Sequence, residues 1–243
     1  MRLSRVYLEA PLASGGRATL TGSAAGHVTR VLRLKRGEPL TVFNGSGGEF
    51  SAVIEEVGAK SVNVRIGAAR TVERESALRL CLAQGISRGE RMDLVVQKAT
   101  ELGVTQLLPV LTERSVVKLD AAQAARKVAH WRAIAIAACE QSGRNRPPQI
   151  VAPMSLGQLL SDTPAEATRL VLSPSSQLRI PDVPRPAHGV MVLIGPEGGL
   201  TTEEQERAAA AGFIGVRLGP RILRTETAAL AALTLLQHEF GDL

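Results

Sequence analysis

A change of hydrophobic period near residue 72 constrains this chain more than any other feature. Before it, apolar residues recur at every second position, in Leu40-Thr41-Val42-Phe43, Phe50-Ser51-Ala52-Val53-Ile54 and Val62-Asn63-Val64-Arg65-Ile66. That alternation sends successive side chains to opposite faces, one toward a core and one toward water, as half-buried strands require. Asn44-Gly45-Ser46-Gly47-Gly48 and Gly58-Ala59-Lys60 are turn sequences between them. Short strands joined by tight turns predict a small β-barrel over residues 1–72. The stretch Thr71 to Ser76 is polar and follows neither period, which sets the boundary there.

From residue 73 to 243 strands alternate with helices, the pattern of a mainly parallel sheet covered on both faces. Leu78–Ala83, Leu107–Leu111, Leu170–Leu172, Val190–Ile194 and Val216–Leu218 read as strands. Ser87 and Glu90 are spaced as a capping box ahead of a helix with Met92, Val95, Val96, Ala99 and Leu102 on one face, stopped at Gly103. Asp120 is placed to cap a second helix, whose stripe of Ala124, Val128, Trp131, Ala135 and Ala138 assigns Trp131 to the core. The class is α/β in this half, with a β domain before it.

Composition excludes several functions. Cys81 and Cys139 lie in apolar contexts without a CxxC or a His at ligand spacing, so neither a disulfide framework nor a metal site is expected. The most apolar stretch, Ala228 to Leu236, is too short to span a bilayer, and the reading is a cytoplasmic protein with no membrane partner. A formal charge of +6 makes a polyanion a natural partner. With aromatics at only 2%, any RNA is gripped mainly by Arg and not by stacking on a recognition sheet.

Ligands of open α/β sheets sit beyond the carboxyl ends of the strands. Three loops fall there. Leu172-Ser173-Pro174-Ser175 is the least distinctive. Gly195-Pro196-Glu197-Gly198-Gly199 leads into Thr201 and Glu204, a second capping box, and its glycines let backbone approach a ligand closely. The third, Leu218 to Thr227, carries Arg221, Arg224 and Glu226 before an apolar helix, with Thr225 placed as its cap. Neither GxxxxGK[ST] nor a strand-turn-helix GxGxxG occurs, which disfavours phosphate-loop hydrolysis and dinucleotide binding. The loops describe a nucleotide-like ligand site.

The strings GPEGG at 195–199 and LGPRILRTETA at 218–228 resemble the RsmE family, the 16S rRNA uridine-N3 methyltransferases of the SPOUT superfamily. QKATELGV at 97–104, Glu113-Arg114 and AACEQSGRNR at 137–146 match as well, as do Arg2, Arg5, His27, Val31-Leu32-Arg33 and Phe43-Asn44-Gly45. The likeness runs through the whole chain in order. It implies an N-terminal PUA-like barrel and a C-terminal SPOUT-type parallel sheet with a deep trefoil knot, although chains as a rule avoid knots. It also implies a homodimer, S-adenosylmethionine as cofactor, and 16S rRNA of the small ribosomal subunit as partner, in its decoding region.

Carried over by residue, the resemblance assigns the cofactor to Leu172, Ser173, Ile194, Gly195, Glu197, Gly198, Gly199, Leu218, Ile222, Leu223, Thr225, Thr227 and Ala228. Uracil N3 becomes nucleophilic once its proton leaves and the charge on O2 and O4 is met by fixed donors, for which Arg221 and then Arg224 are the candidates. Glu140, Glu197 or Glu226 takes the proton, and spacing does not choose among them. Arg30, Arg33, Lys35 and Arg36, joined by Arg2, Arg5 and His27 and extended by Arg144 and Arg146, form the expected RNA surface. The rival readings are a ribose 2'-O methyltransferase of the same superfamily and a non-catalytic RNA-binding or ribosome-assembly protein.

Overall fold

The computed structural model describes residues 3–115, 117–162 and 167–243. They form two compact units, one of residues 1–75 with 136–147 and one of residues 76–135 with 148–243.

The first unit contains β1 (Arg5–Tyr7), β2 (Arg17–Thr21), a short helix α1 (Gly22–Gly26) that runs into a π-helical turn at His27–Val31, and strands β3 (Pro39–Phe43), β4 (Glu49–Val57) and β5 (Ser61–Arg70). The sheet order is β1-β3-β4-β5-β2. The ladder stays open between β1 and β2 among the described residues, so the expected barrel is a five-stranded sheet with two outer strands. Register shifts in the β4–β5 pair at Phe50/Ala52 and Ile54/Glu56 bend these long strands over the core. The alternation read in the sequence decides which residues enter that core: Leu40, Val42, Ala52, Ile54, Val62, Val64 and Ile66 are buried together with Val6 and Leu20.

The second unit holds β6 (Leu80–Gly85), α2 (Glu90–Glu101), β7 (Gln106–Leu111), the start of α3 (Ala121–Ser142), β8 (Gln149–Ile150), β9 (Met154–Ser155), α4 (Leu156–Asp162), β10 (Thr168–Leu172), β11 (Val190–Ile194), α5 (Thr202–Ala210), β12 (Ile214–Val216) and α6 (Thr225–Phe240). All its strand pairs are parallel, in the order β12-β10-β11-β6-β7-β8, with β9 also on β7. Both faces are covered. Leu80, Leu82, Leu170, Val192 and Ile194 meet α2, α3 and α6 through Val95, Trp131 and Leu233. Ala83, Val171, Met191 and Leu193 meet α4 and α5 through Leu159 and Ala208. A strand buried on both faces gains about 1.5–3 kcal/mol from each large apolar side chain, so these strands read as unbroken apolar runs.

Two capping expectations fail. Helix α2 starts at Glu90 with Gly89 as its cap, and the Ser87 hydroxyl reaches back toward Gly85 O. The cap of α6 is Arg224, without a side-chain cap bond, because the Thr225 hydroxyl is drawn into the loops described below. Asp120 and Thr201 do cap their helices, Asp120 Oδ1 accepting from Gln123 N at 2.7 Å and Thr201 Oγ1 from Glu204 N at 3.1 Å. Strand β12 ends at Val216, two residues before its expected end, which leaves Arg217 and Leu218 to the loop. No helix among the described residues is long and apolar enough to cross a membrane.

Candidate active site

Strand order brings the three loops together. β10 lies between β12 and β11, with Leu172 level with Val216 and Val171 level with Leu193, so the chain leaves all three strands at one edge of the sheet. β6 ends beside them, Gln84 level with Ile194. The glycine loop is packed too tightly for side chains: a Cβ on Gly195 would lie 2.9 Å from Gly199 C, and one on Gly85 would lie 2.6 Å from Pro196 Cδ. Glycine is required there by close approach of backbone to backbone. A hydrogen bond from Gly199 N to Pro196 O at 2.8 Å closes the turn.

Further bonds hold the loops to each other. Thr225 Oγ1 donates to Gly195 O at 2.7 Å and accepts from Gln84 Nε2 at 2.9 Å, tying the third loop to the second and to β6. Arg114 donates to Gly198 O at 2.8 Å. Glu204 is buried and accepts from Thr201 N and from Glu113 N, both at 2.9 Å, so the second capping box also fastens the loop after β7. The Ser173 hydroxyl donates to Gln205 Oε1 at 2.8 Å, joining the first loop to α5. The result is a cavity of about 590 Å³, within the size range of small-molecule and cofactor sites.

Its walls are Leu172, Ser173, Ile194, Gly195, Glu197, Gly198, Gly199, Leu218, Ile222, Leu223, Thr225 and Ala228, together with Arg221, Arg224 and Glu226. Thr227 is exposed on the first turn of α6 and is not a lining residue. Glu140 lies in the first unit, where its Oε1 accepts from Tyr7 N at 3.0 Å and its Oε2 is 4.0 Å from His27 Nε2. Burial lifts its carboxyl above the ordinary range, against the opposing pull of the Tyr7 N–H, His27 and Arg5. Sequence reading gave no role to Arg91, Gln205 or Arg217, which also line the cavity. Nothing local marks them, since each looks like an ordinary helix-face or strand-end residue until the fold closes.

The two acids of the cavity differ. Burial alone would raise the Glu197 carboxyl, yet its own backbone N–H, Arg88 N and the Arg91 guanidinium together hold it below the usual carboxylate range. The Arg91 contact is 2.8 Å. Glu226 has a looser partner, with Arg91 Nε 4.0 Å from Oε1, and its Oε2 is buried without a hydrogen-bond partner among the described residues. A buried polar atom left unpaired costs about 1–3 kcal/mol, and this one belongs to a residue of the cavity wall. Burial pushes the Cys81 and Cys139 thiols up to about 12, so neither is a thiolate nucleophile. Among the described residues no cluster of His, Cys, Asp and Glu is arranged to hold a metal ion.

The expected RNA surface divides. Arg30, Arg33, Lys35 and Arg36 are exposed, and His27 is half-buried beside Glu140. Arg5 and Arg144 correct the expectation of surface cations. They are 7% and 3% exposed, Arg5 paired with Glu49 and bonded to Asn145 Oδ1 at 2.6 Å, Arg144 paired with Glu75. A buried guanidinium is retained only where carboxylates and carbonyls satisfy its donors, and here they fasten β1, β4 and the 144–145 segment of this unit. Arg146 is exposed and pairs with Glu73 at 3.0 Å. Arg2 lies outside the described residues.

Comparison with known proteins agrees with this architecture. The family model described as RNA methyltransferase domain matches residues 74–237, and that described as RNA methyltransferase PUA domain matches residues 20–67. The fold and site therefore define a two-part RNA methyltransferase with a PUA-like N-terminal unit. Among curated relatives, the ribosomal RNA small subunit methyltransferase E of Buchnera aphidicola subsp. Schizaphis graminum is 36% identical over 100% of this chain and 98% of its own. That of Bacillus subtilis is 32% identical over 91% of this chain and 90% of its own. The chain belongs to the ribosomal RNA small subunit methyltransferase E family, and membership makes it an rRNA methyltransferase.

Two solved structures carry the comparison further. A methyltransferase from Legionella pneumophila, in complex with S-adenosylmethionine, is 45% identical with a TM-score of 0.96 over 100% of both chains. A ribosomal RNA small subunit methyltransferase E from Neisseria gonorrhoeae, also bound to S-adenosylmethionine, is 38% identical with a TM-score of 0.93 over 100% of both chains.

Proposed function

We propose that this chain transfers the methyl group of S-adenosylmethionine to N3 of a uridine in the decoding region of 16S rRNA, on the small ribosomal subunit. In this reading it works in the cytoplasm as a homodimer, its second unit carries the deep trefoil knot of its superfamily, and its first unit holds RNA through Arg30, Arg33, Lys35 and Arg36. The observation that carries the reading is the cradle at the ends of β10, β11 and β12, where three loops stitched by Thr225 and Arg114 surround a cavity of about 590 Å³.

The residues present fit the cofactor. The glycine loop offers backbone where a Cβ has no room, and two buried polar atoms of the cavity wall, Glu226 Oε2 and Arg217 Nε, have no partner among the described residues. Backbone groups of Gly195 to Gly199, Leu218, Leu223 and Ala228 would hold it, and Leu172 and Ile194 would supply apolar walls. When bound, the group supplies an electrophilic methyl on a sulfonium, whose leaving group is a neutral thioether.

The chain's own task is to make uracil N3 a nucleophile and to aim it. Glu226 is the proton acceptor in this reading, because Glu197 has its carboxylate engaged by Arg88 and Arg91 whereas Glu226 Oε2 is free to accept. Arg221 stands exposed at the cavity wall, where its guanidinium would meet the charge developing on O2 and O4, and Arg224 assists. Ile222, 85% exposed on the same loop, also belongs to the cavity wall.

The test is direct. Small subunits from a strain lacking the gene are incubated with this protein and S-adenosylmethionine, and their rRNA is digested to nucleosides for mass spectrometry. The expected product is 3-methyluridine. A 2'-O-methylnucleoside would overturn the base-directed reading, and no methylated product at all would favour a non-catalytic RNA-binding protein.

A further inference from the structure

The start of α3 carries a set of cations that the cavity does not use. Gln123, Arg126, Lys127 and His130 are spaced to lie along one helix face, and with Lys118 and Leu119 of the preceding segment they line a depression of about 460 Å³. The polar groups around it differ in what they are free to bind. His130 Nε2 is 2.8 Å from Asp93 Oδ2. Asp120 is engaged as the helix cap, accepting from Gln123 N and donating its own N–H to Gln123 Oε1 at 3.0 Å. Among the described residues no carboxylate pairs with Lys118, Arg126 or Lys127, whereas Lys98, Arg91 and Arg144 of the same chain each have one.

Like charges gathered on one face repel, and an external anion relieves that repulsion. The chemistry of the depression says which kind of anion. It has no Phe, Tyr or Trp on which a base could stack, its one imidazole, His130, is engaged by Asp93, and none of the large hydrophobics exposed among the described residues lies in it, so it lacks the apolar anchor on which a protein interface is centred. Arg126 offers a planar fork suited to a phosphate, and Lys118 and Lys127 offer point charges on long stems.

We infer that Lys118, Arg126 and Lys127 form a phosphate-gripping surface on the methyltransferase unit, which holds the sugar–phosphate backbone of the substrate RNA. This rests on the RNA-methyltransferase reading and adds to it a contact independent of the N-terminal cluster. Phosphate contacts fix register without reading sequence, so the surface orients the strand and leaves the choice of uridine to shape and to the cavity.

The experiment compares the full-length protein with the variant K118E/R126E/K127E, and with K118Q/R126Q/K127Q, which removes charge without reversing it. Binding of fluorescein-labelled 16S rRNA is titrated between about 50 and 200 mM salt, and S-adenosylmethionine binding is followed by calorimetry on the same preparations. Each phosphate contact contributes about 0.7–0.9 to the slope of log affinity against log salt, so the glutamine variant is expected to lose about two to three from that slope and about tenfold or more in RNA affinity near 0.1 M salt. Cofactor affinity is expected to stay unchanged in both variants, which shows that the unit is folded. RNA affinity and salt slope equal to wild type would overturn the inference and point to an acidic protein surface as the partner. A fall in affinity with an unchanged slope would overturn it too, because the residues would then not be neutralising phosphates. The readout is RNA binding, so it stands apart from the nucleoside analysis that decides the reaction.

Discussion

Replacing Thr225 by valine tests whether the cradle is held by one hydroxyl. Valine keeps the shape of the side chain, so no cavity opens, and only the hydrogen bonds change. Thr225 is 6% exposed and its Oγ1 makes bonds of 2.7 Å to Gly195 O and 2.9 Å from Gln84 Nε2. Gln84 Nε2 keeps its bond to Gly85 O at 3.1 Å, so its loss is partial. Gly195 O loses the Thr225 hydroxyl in a packed setting, which costs about 1–3 kcal/mol, and the net worth of the second bond adds about 1 kcal/mol. The second unit should therefore lose about 2–4 kcal/mol. The protein has one tryptophan, Trp131, and it is buried in the core of that unit, so urea unfolding followed by its fluorescence reports on the right half of the molecule. Affinity for S-adenosylmethionine should fall about tenfold, equivalent to about 1.4 kcal/mol, because the glycine loop is no longer fixed. Thr225→Ser should restore most of both. A valine variant within about 0.5 kcal/mol of wild type and with unchanged cofactor affinity would refute the reasoning, since that is the ordinary scatter of a neutral substitution.

Three other outcomes follow from the site and the first unit. Glu226→Gln should lower kcat by about 10²–10⁴, the range of a lost general base, while calorimetry finds S-adenosylmethionine binding within about threefold of wild type. Arg221→Ala should lower methyl transfer by about 10²–10³ while filter binding finds RNA affinity largely retained, as expected of a donor that meets charge only as it develops. Arg144→Ala should destabilise the first unit by about 3–5 kcal/mol in a circular-dichroism melt, because it leaves Glu75 without its buried partner, whereas Arg30→Glu with Arg33→Glu should weaken RNA binding and leave the melt in place.

What the sequence made legible was the part written in local period and local geometry. Leu40 to Ile66 alternate because one face is buried, and GPEGG at 195–199 is rich in glycine because a Cβ on Gly195 has no space. Both are properties of a few neighbouring residues. Strand order was not legible, since the chain leaves β9 and α4 to place β10 beyond β11, and pairing between segments that distant is set by the whole sheet. Arg5 and Arg144 read as surface cations for the same reason: their partners Glu49 and Glu75 lie 44 and 69 residues away, and only the fold reveals that they are satisfied inside. The stripe of α3 runs on past Ala135 without a break, so nothing in its periodicity announces that residues 136–147 pack with the first unit. Thr225 and Ser87 were read by the rules of helix caps, but the Thr225 hydroxyl goes to a carbonyl 30 residues away and the Ser87 hydroxyl turns back toward Gly85 O. Arg91 has the look of a solvated helix residue and becomes a wall of the cavity only because α2 begins beside the glycine loop.

The central claim is that the loops after β10, β11 and β12 hold the methyl donor. A crystal of this protein soaked with S-adenosylmethionine tests it most directly. The donor is expected in the cavity, in contact with backbone of Gly195 to Gly199 and of Leu218 and Leu223, with its methyl toward Arg221 and Glu226. Donor bound elsewhere, or the cavity vacant at saturating donor, would contradict it.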